Sequence, residues 1–194
     1  MTTAEHAIEL PEPNTAGAMR KLLIAAAVGG AASISLGVYG RVHDPTGVPR
    51  LFFVDIDVQD MLPLKAWLAT AAFTLALVQL VSALAMWGKL PIRGSWVAPA
   101  HRWTGTAAFL ISLPVAYQCL WAVGFQTTTT RVLLHSLFGC AFYGAFAAKM
   151  LLLRAKRLPG WTMPVAGGLL VATLTGIWLT SSLWFFNNVG FPGF

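Results

Sequence analysis

Residues 132–153 read VLLHSLFGCAFYGAFAAKMLLL, an apolar run broken only by His135, Ser136, Tyr143 and, near its end, Lys149. A helix of that length rises about 33 Å, enough to cross a hydrocarbon core of about 30 Å. The same reading applies on either side of it, at residues 22–40, 64–87, 103–123 and 163–186. The five spans take up more than half of the 194 residues. The chain is therefore expected to be all-α, an integral membrane bundle over residues 20–194. Ahead of it stands a polar, disordered tail at 1–19 that carries Glu5, Glu9, Glu12, Pro11 and Pro13. That tail lacks a basic stretch at its start, so a cleaved signal peptide is not expected.

Composition points the same way. Hydrophobic residues make up 57% and charged residues 10%, with a mean hydropathy of +0.68; soluble domains carry roughly 25% charged residues. A water-soluble globule is excluded. The net charge of +6 is topogenic in placement. Arg20, Lys21, Lys89, Arg93, Arg102, Lys149, Arg154, Lys156 and Arg157 flank one side, against Arg41, Arg50, Lys65 and Arg131 on the other. Nine against four puts the N-terminus in the cytoplasm and the uncharged C-terminus outside. The expected location is the plasma membrane of a bacterium, and nucleic acid is not a partner. Asp44, Asp55, Asp57 and Asp60 then fall on the outer side, where they offer an acidic patch to a basic redox protein, or simply a solvated loop.

Ionisable groups at membrane depth are costly and mark functional candidates. His101 and His135 each stand four residues before a glycine, Gly105 and Gly139, hence on one helical face with it. A glycine one turn from an imidazole leaves a recess in which a porphyrin can lie. Arg131 and Arg102 stand where propionates need a cation. Iron takes a neutral imidazole nitrogen. By helical rise, His101 and His135 are separated by about 28 Å along the membrane normal, so they cannot share one iron. His43, just past the first span, is the histidine at His135's level. The expectation is a haem b held by His43 and His135. A second haem on His101 needs another ligand from His6, from a methionine such as Met86, Met150 or Met163, or from another chain. The plainer reading has His101 with Arg102 as an interfacial cap where the chain enters the bilayer, and His135 hydrogen-bonded to Ser or Thr on a neighbouring helix.

Several stretches carry a resemblance. The HRWTG at 101–105 resembles the histidine-led helices of bacterial b-type cytochromes, including ferric-reductase-like and PepSY-associated membrane helices. LKAWLAT, HRWTGTAAFLISLPVAYQCL and RVLLHSLFGCAFYGAFAAKML are similar to an uncharacterised family of actinobacterial five-helix membrane proteins, over residues 20–186. That resemblance implies electron transport beside a Rieske-type iron–sulfur protein. Di-haem cytochromes offer four transmembrane histidines, more than this chain has.

Other features are weaker. Ala25, Gly29, Ser33 and Gly37 recur every four residues, a stripe for close helix packing. Pro114 should bend the third span, and Pro63 should open the second at its first turn. Cys119 and Cys140 are offset by about 7.5 Å in depth, which disfavours a disulfide. Gln118 is at the depth of His135, either as its hydrogen-bond partner or in the wall of a quinone pocket. Six tryptophans close to span ends form an interfacial belt. Walker, hydrolase, zincin and C-x-x-C motifs are absent. The reading is a haem b electron-transfer subunit rather than a self-contained enzyme. It would work between a quinol pool and an outer Rieske-type or c-type cytochrome partner, with other subunits of a membrane redox complex. The alternatives are a cofactor-free anchor of such a complex and, third, a small transporter.

Overall fold

The computed structural model describes residues 15–51 and 54–190. Helix α1 (Thr15–Val42) leads to a short antiparallel ladder, β1 (Arg50–Leu51) with β2 (Val54–Asp55), in which Arg50 pairs with Asp55. Beyond it come α2 (Val58–Met86), α3 (Val97–Gln118), α4 (Thr130–Arg154), α5 (Thr162–Trp178) and α6 (Trp184–Asn188). A π-turn at Cys119–Val123 continues α3, and another at Leu179–Leu183 joins α5 to α6. Among the described residues, five helical segments are long and apolar enough to cross a membrane. The chain is an all-helical, multi-pass membrane protein.

All five segments extend past their apolar runs. α1 starts at Thr15, inside the segment read as tail; residues 1–14, with His6, lie outside the described residues. α2 starts at Val58, so Pro63 is inside the helix and not in its first turn. α3 starts at Val97, which puts His101 within the helix rather than at its opening. The hydropathy signal ends where the hydrocarbon ends, but backbone hydrogen bonding carries each helix into the interface. The Thr129 hydroxyl accepts from Val132 N at 3.3 Å and fixes the start of α4.

Packing runs in the order α1–α4–α5–α2–α3. The α1–α4 seam is set by small residues, as the stripe in α1 predicts. A Cβ at Gly29 would stand 2.7 Å from the Gly144 carbonyl oxygen, and one at Gly144 would collide with Gly29 O and the Ser33 side chain. α5 holds α2 through Trp178 Nε1, which donates to Thr70 Oγ1 at 3.0 Å, while the fully buried Ser182 donates to Ala66 O at 3.0 Å. The backbones of α3 and α4 barely approach each other. Aromatic side chains span part of that gap: Phe109 stacks on Phe146 at 3.9 Å, and Tyr143 reaches Ser112. The rest of the gap stays open.

The expected aromatic belt is present at the helix ends, where Trp87, Trp96, Trp103, Trp121, Trp161 and Trp184 are all exposed.

A cavity beside His135

The open part of the α3–α4 gap is an apolar cavity of about 150 Å³ near the end of the bundle that carries His43. Ala72 of α2 and Leu174 and Ile177 of α5 close it from behind; Cys119, Val123 and Phe125 form the rim. Its polar groups are few: His135, Ser136, Gln126 and the Ser112–Tyr143 pair. Ser136 Oγ donates to Gln126 O at 3.1 Å and accepts from Gln126 N at 3.2 Å, which ties the 124–129 turn to α4.

His135 is held by the second π-turn. Its Nδ1 lies 3.2 Å from Thr180 Oγ1. The Thr180 hydroxyl donates to Gly176 O at 2.7 Å, one turn back on its own helix, so its lone pair faces the ring. With the Ile177 carbonyl as a further acceptor beside the ring, this network assigns the proton to Nδ1 and leaves the lone pair on Nε2. Gly139, one turn further along the same face, also lines the cavity, and a Cβ there would meet nothing within 4 Å. The recess expected beside His135 is present.

His101 repeats the pattern at the opposite end of the bundle. Its Nδ1 lies 2.8 Å from the oxygen of Ser82, whose hydroxyl donates to Val78 O at 2.7 Å. Here, however, the recess is filled. Gln79 Nε2 donates to His101 O and, at 2.5 Å, to Thr104 Oγ1, and a Cβ at Gly105 would stand 2.8 Å from Gln79 Oε1. Arg102 is exposed.

His43 does not meet His135. It lies flat on Tyr39, ring centroids 4.5 Å apart, and stacks at 6.0 Å on Trp121. Its Nδ1 faces Tyr39 O at 2.9 Å and its Nε2 faces Trp121 O at 3.1 Å. Two carbonyl acceptors call for two N–H donors, so this geometry selects the imidazolium. The Trp121 and Tyr39 carbonyls, with some help from Asp44, raise its pKa above the ordinary 6.5. Neither nitrogen, so placed, has a lone pair for iron. Arg131 is likewise engaged elsewhere: its guanidinium lies 4.0 Å from the Trp184 ring centroid, and Nη1 donates to Thr180 O at 2.6 Å.

Gln118, buried next to the π-turn, serves the loop and not His135. It accepts from Arg50 N at 3.1 Å and donates to Val48 O at 3.4 Å. Cys119 and Cys140 are free thiols. Among the described residues, no three His, Cys, Asp or Glu side chains are grouped to hold a metal ion. The residue missed by sequence reasoning is Thr180; its signal was the polar TSS run at 180–182 inside an apolar span.

Residues 22–193 match a family model described as a family of unknown function (DUF6529), and the chain belongs to that family. Neither a curated protein nor a solved structure matches it.

Proposed function

Starting from a family with no assigned activity, we propose that the chain is a membrane subunit of a bacterial redox assembly that takes a quinol ring into the cavity beside His135. Its electrons go to an outer partner with an iron centre, of Rieske or cytochrome c type. One observation carries this reading: a neutral imidazole whose Nε2 lone pair is free, beside a glycine recess in an otherwise apolar cavity. Such a pocket, apolar with a few convergent polar groups, suits a small aromatic ligand. A quinol hydroxyl donates to Nε2. On oxidation by the outer partner, His135 would take this hydroxyl's proton at Nε2, and Thr180 would keep the resulting imidazolium hydrogen-bonded through Nδ1. Asp44, Asp57 and Asp60 are exposed at the same end, where Asp55 is paired with Arg50 Nε at 2.7 Å, and they favour encounter with a basic partner.

The haem b expected from the sequence does not fit the residues as they stand. Both nitrogens of His43 face carbonyls, and Gln79 occupies the recess at Gly105. The cavity at His135 has the volume of an engineered site of about 150 Å³ that binds benzene, whereas a porphyrin joins four pyrroles.

The test is solvent extraction of the purified protein with chromatography for quinones, alongside an optical spectrum. Near-stoichiometric quinone, lost in His135→Leu, supports the reading. A Soret band that His135→Leu abolishes would return the site to haem. Colourless, quinone-free protein would leave the cofactor-free anchor.

A further inference from the structure

We infer that the ligand of the His135 cavity carries a prenyl tail, and that this tail leaves the protein sideways between α1 and α4. This rests on the quinol reading above and specifies which quinols the site takes. A second hollow, a groove of about 660 Å³, lies on the outer face of the α1–α4 pair. Ile34, Gly37 and Val38 of α1 face Leu137 and Ala141 of α4 across it. It adjoins the cavity: Phe125 and Cys140 line both.

The partition between the two hollows is thin for a reason legible in the chain. Gly37 stands opposite it, and a Cβ there would lie 3.8 Å from both Cys140 Sγ and the Phe125 ring. With hydrogen in that place, the Phe125 ring and the Cys140 thiol, which line both hollows, stand between the cavity and the groove. Phe125 is carried by the turn after the π-turn, not by a helix. Its side chain can swing by rotation about χ1 without breaking a helical hydrogen bond. Further toward the middle of the bundle the same seam is shut, because Gly29 and Gly144 bring the two backbones together.

A substituent trailing from a ring beside His135 past Phe125 and into the groove must be apolar, narrow and long enough to reach the bilayer. A prenyl tail meets those conditions. A phospholipid acyl chain would fill the groove from the bilayer surface, with its phosphate near Arg41 at the rim, and would leave the adjoining cavity empty.

The full-length protein in phosphatidylcholine nanodiscs tests this, with tryptophan quenching read for menadione, which has no tail, and for a menaquinone with one. Ile34→Trp and Leu137→Trp fill the groove from side chains that are 67% and 48% exposed, so the fold tolerates them. Unchanged menadione binding serves as the folding control. Tailed menaquinone weakened about tenfold in both variants, with menadione unchanged, supports the proposal. Tailed menaquinone unaffected while wild type binds both ligands overturns the tail path, leaves the quinol site standing and assigns the groove to phospholipid. Wild type binding neither ligand removes the quinol site and the tail path together.

Discussion

His43 joins the end of α1 to the π-turn after α3 through Trp121, with Nε2 3.1 Å from the Trp121 carbonyl oxygen and the two rings stacked. Backbone bonds run alongside: Phe125 N donates to Gly40 O at 2.5 Å, Thr46 N to Trp121 O at 3.3 Å and Gly47 N to Ala122 O at 3.1 Å. Gly124 sits in the left-handed region at φ 74°, with no room for a Cβ against Gly40 O. The tie closes the end of the bundle next to the cavity. Its one titratable member is His43, flanked by Asp44 and Arg41.

Stability should fall with rising pH through this tie. The pKa of His43 is raised in the folded protein, so the stability contributed by its doubly bonded, charged form is fully present below the ordinary value of 6.5 and falls as pH climbs through the higher folded value, where one of the two bonds loses its proton. Wild type minus His43→Gln, compared by thermal unfolding in detergent, should therefore give a difference that shrinks from mildly acidic to mildly alkaline pH. Glutamine keeps one donor and does not titrate. A difference independent of pH would mean that the ring is held neutral, with one carbonyl left unpaired.

The His135–Thr180 contact makes a second prediction. Thr180→Val removes the acceptor that holds Nδ1–H, while Thr180→Ser keeps it. Interhelical hydrogen bonds in membrane proteins contribute about 0.5–2 kcal/mol, and Thr180→Val should cost that much in reversible unfolding. Quinone binding should weaken about tenfold, as one hydrogen bond's worth of positioning is lost. Thr180→Ser should restore both. Full affinity in Thr180→Val would show that the ring orientation does not matter to the ligand.

The spans and the recess at Gly139 were legible because both rest on side-chain chemistry: apolar runs in one case, spacing by one helical turn in the other. Helix starts at Thr15, Val58 and Val97 were not legible, since interfacial turns that include Asp60 or His101 look polar and still hydrogen-bond as helix. The partners of His43 are main-chain carbonyls, which leave no mark in a sequence, so depth alone made it look like a ligand. Thr180 reaches His135 from a π-turn, and nothing in LTSSL distinguishes a π-turn from regular helix.

Topology is open to direct measurement. The nine-to-four division of basic residues predicts that a periplasmically active reporter such as alkaline phosphatase is active when fused after Phe194 and inactive when fused in the 88–96 loop. Replacing Lys89 and Arg93 with glutamine should lower the fraction of chains in that orientation. The reverse pattern of activities would place the cavity and the four aspartates on the cytoplasmic side and remove an outer redox partner.

Two glycines on α4 should respond to the same substitution in opposite directions. At Gly139 a new methyl meets open space, and alanine in a helix interior is favoured over glycine by about 0.5–1 kcal/mol. Gly139→Ala should therefore stabilise the bundle, while the bulkier Gly139→Leu fills the recess and abolishes quinone binding. At Gly144 the methyl would be driven into the Gly29 carbonyl and the Ser33 side chain. Ser33 can rotate away, but a helix backbone cannot, so α1 must move off α4 at a cost of about 1–3 kcal/mol. Because α1 packs mainly on α4, the loss should appear as early separation of α1, read by proteolysis or by cross-linking between cysteines placed at Ile34 and Leu137. Equal tolerance of alanine at both positions would mean that the α1–α4 crossing is looser than the Gly29–Gly144 approach requires.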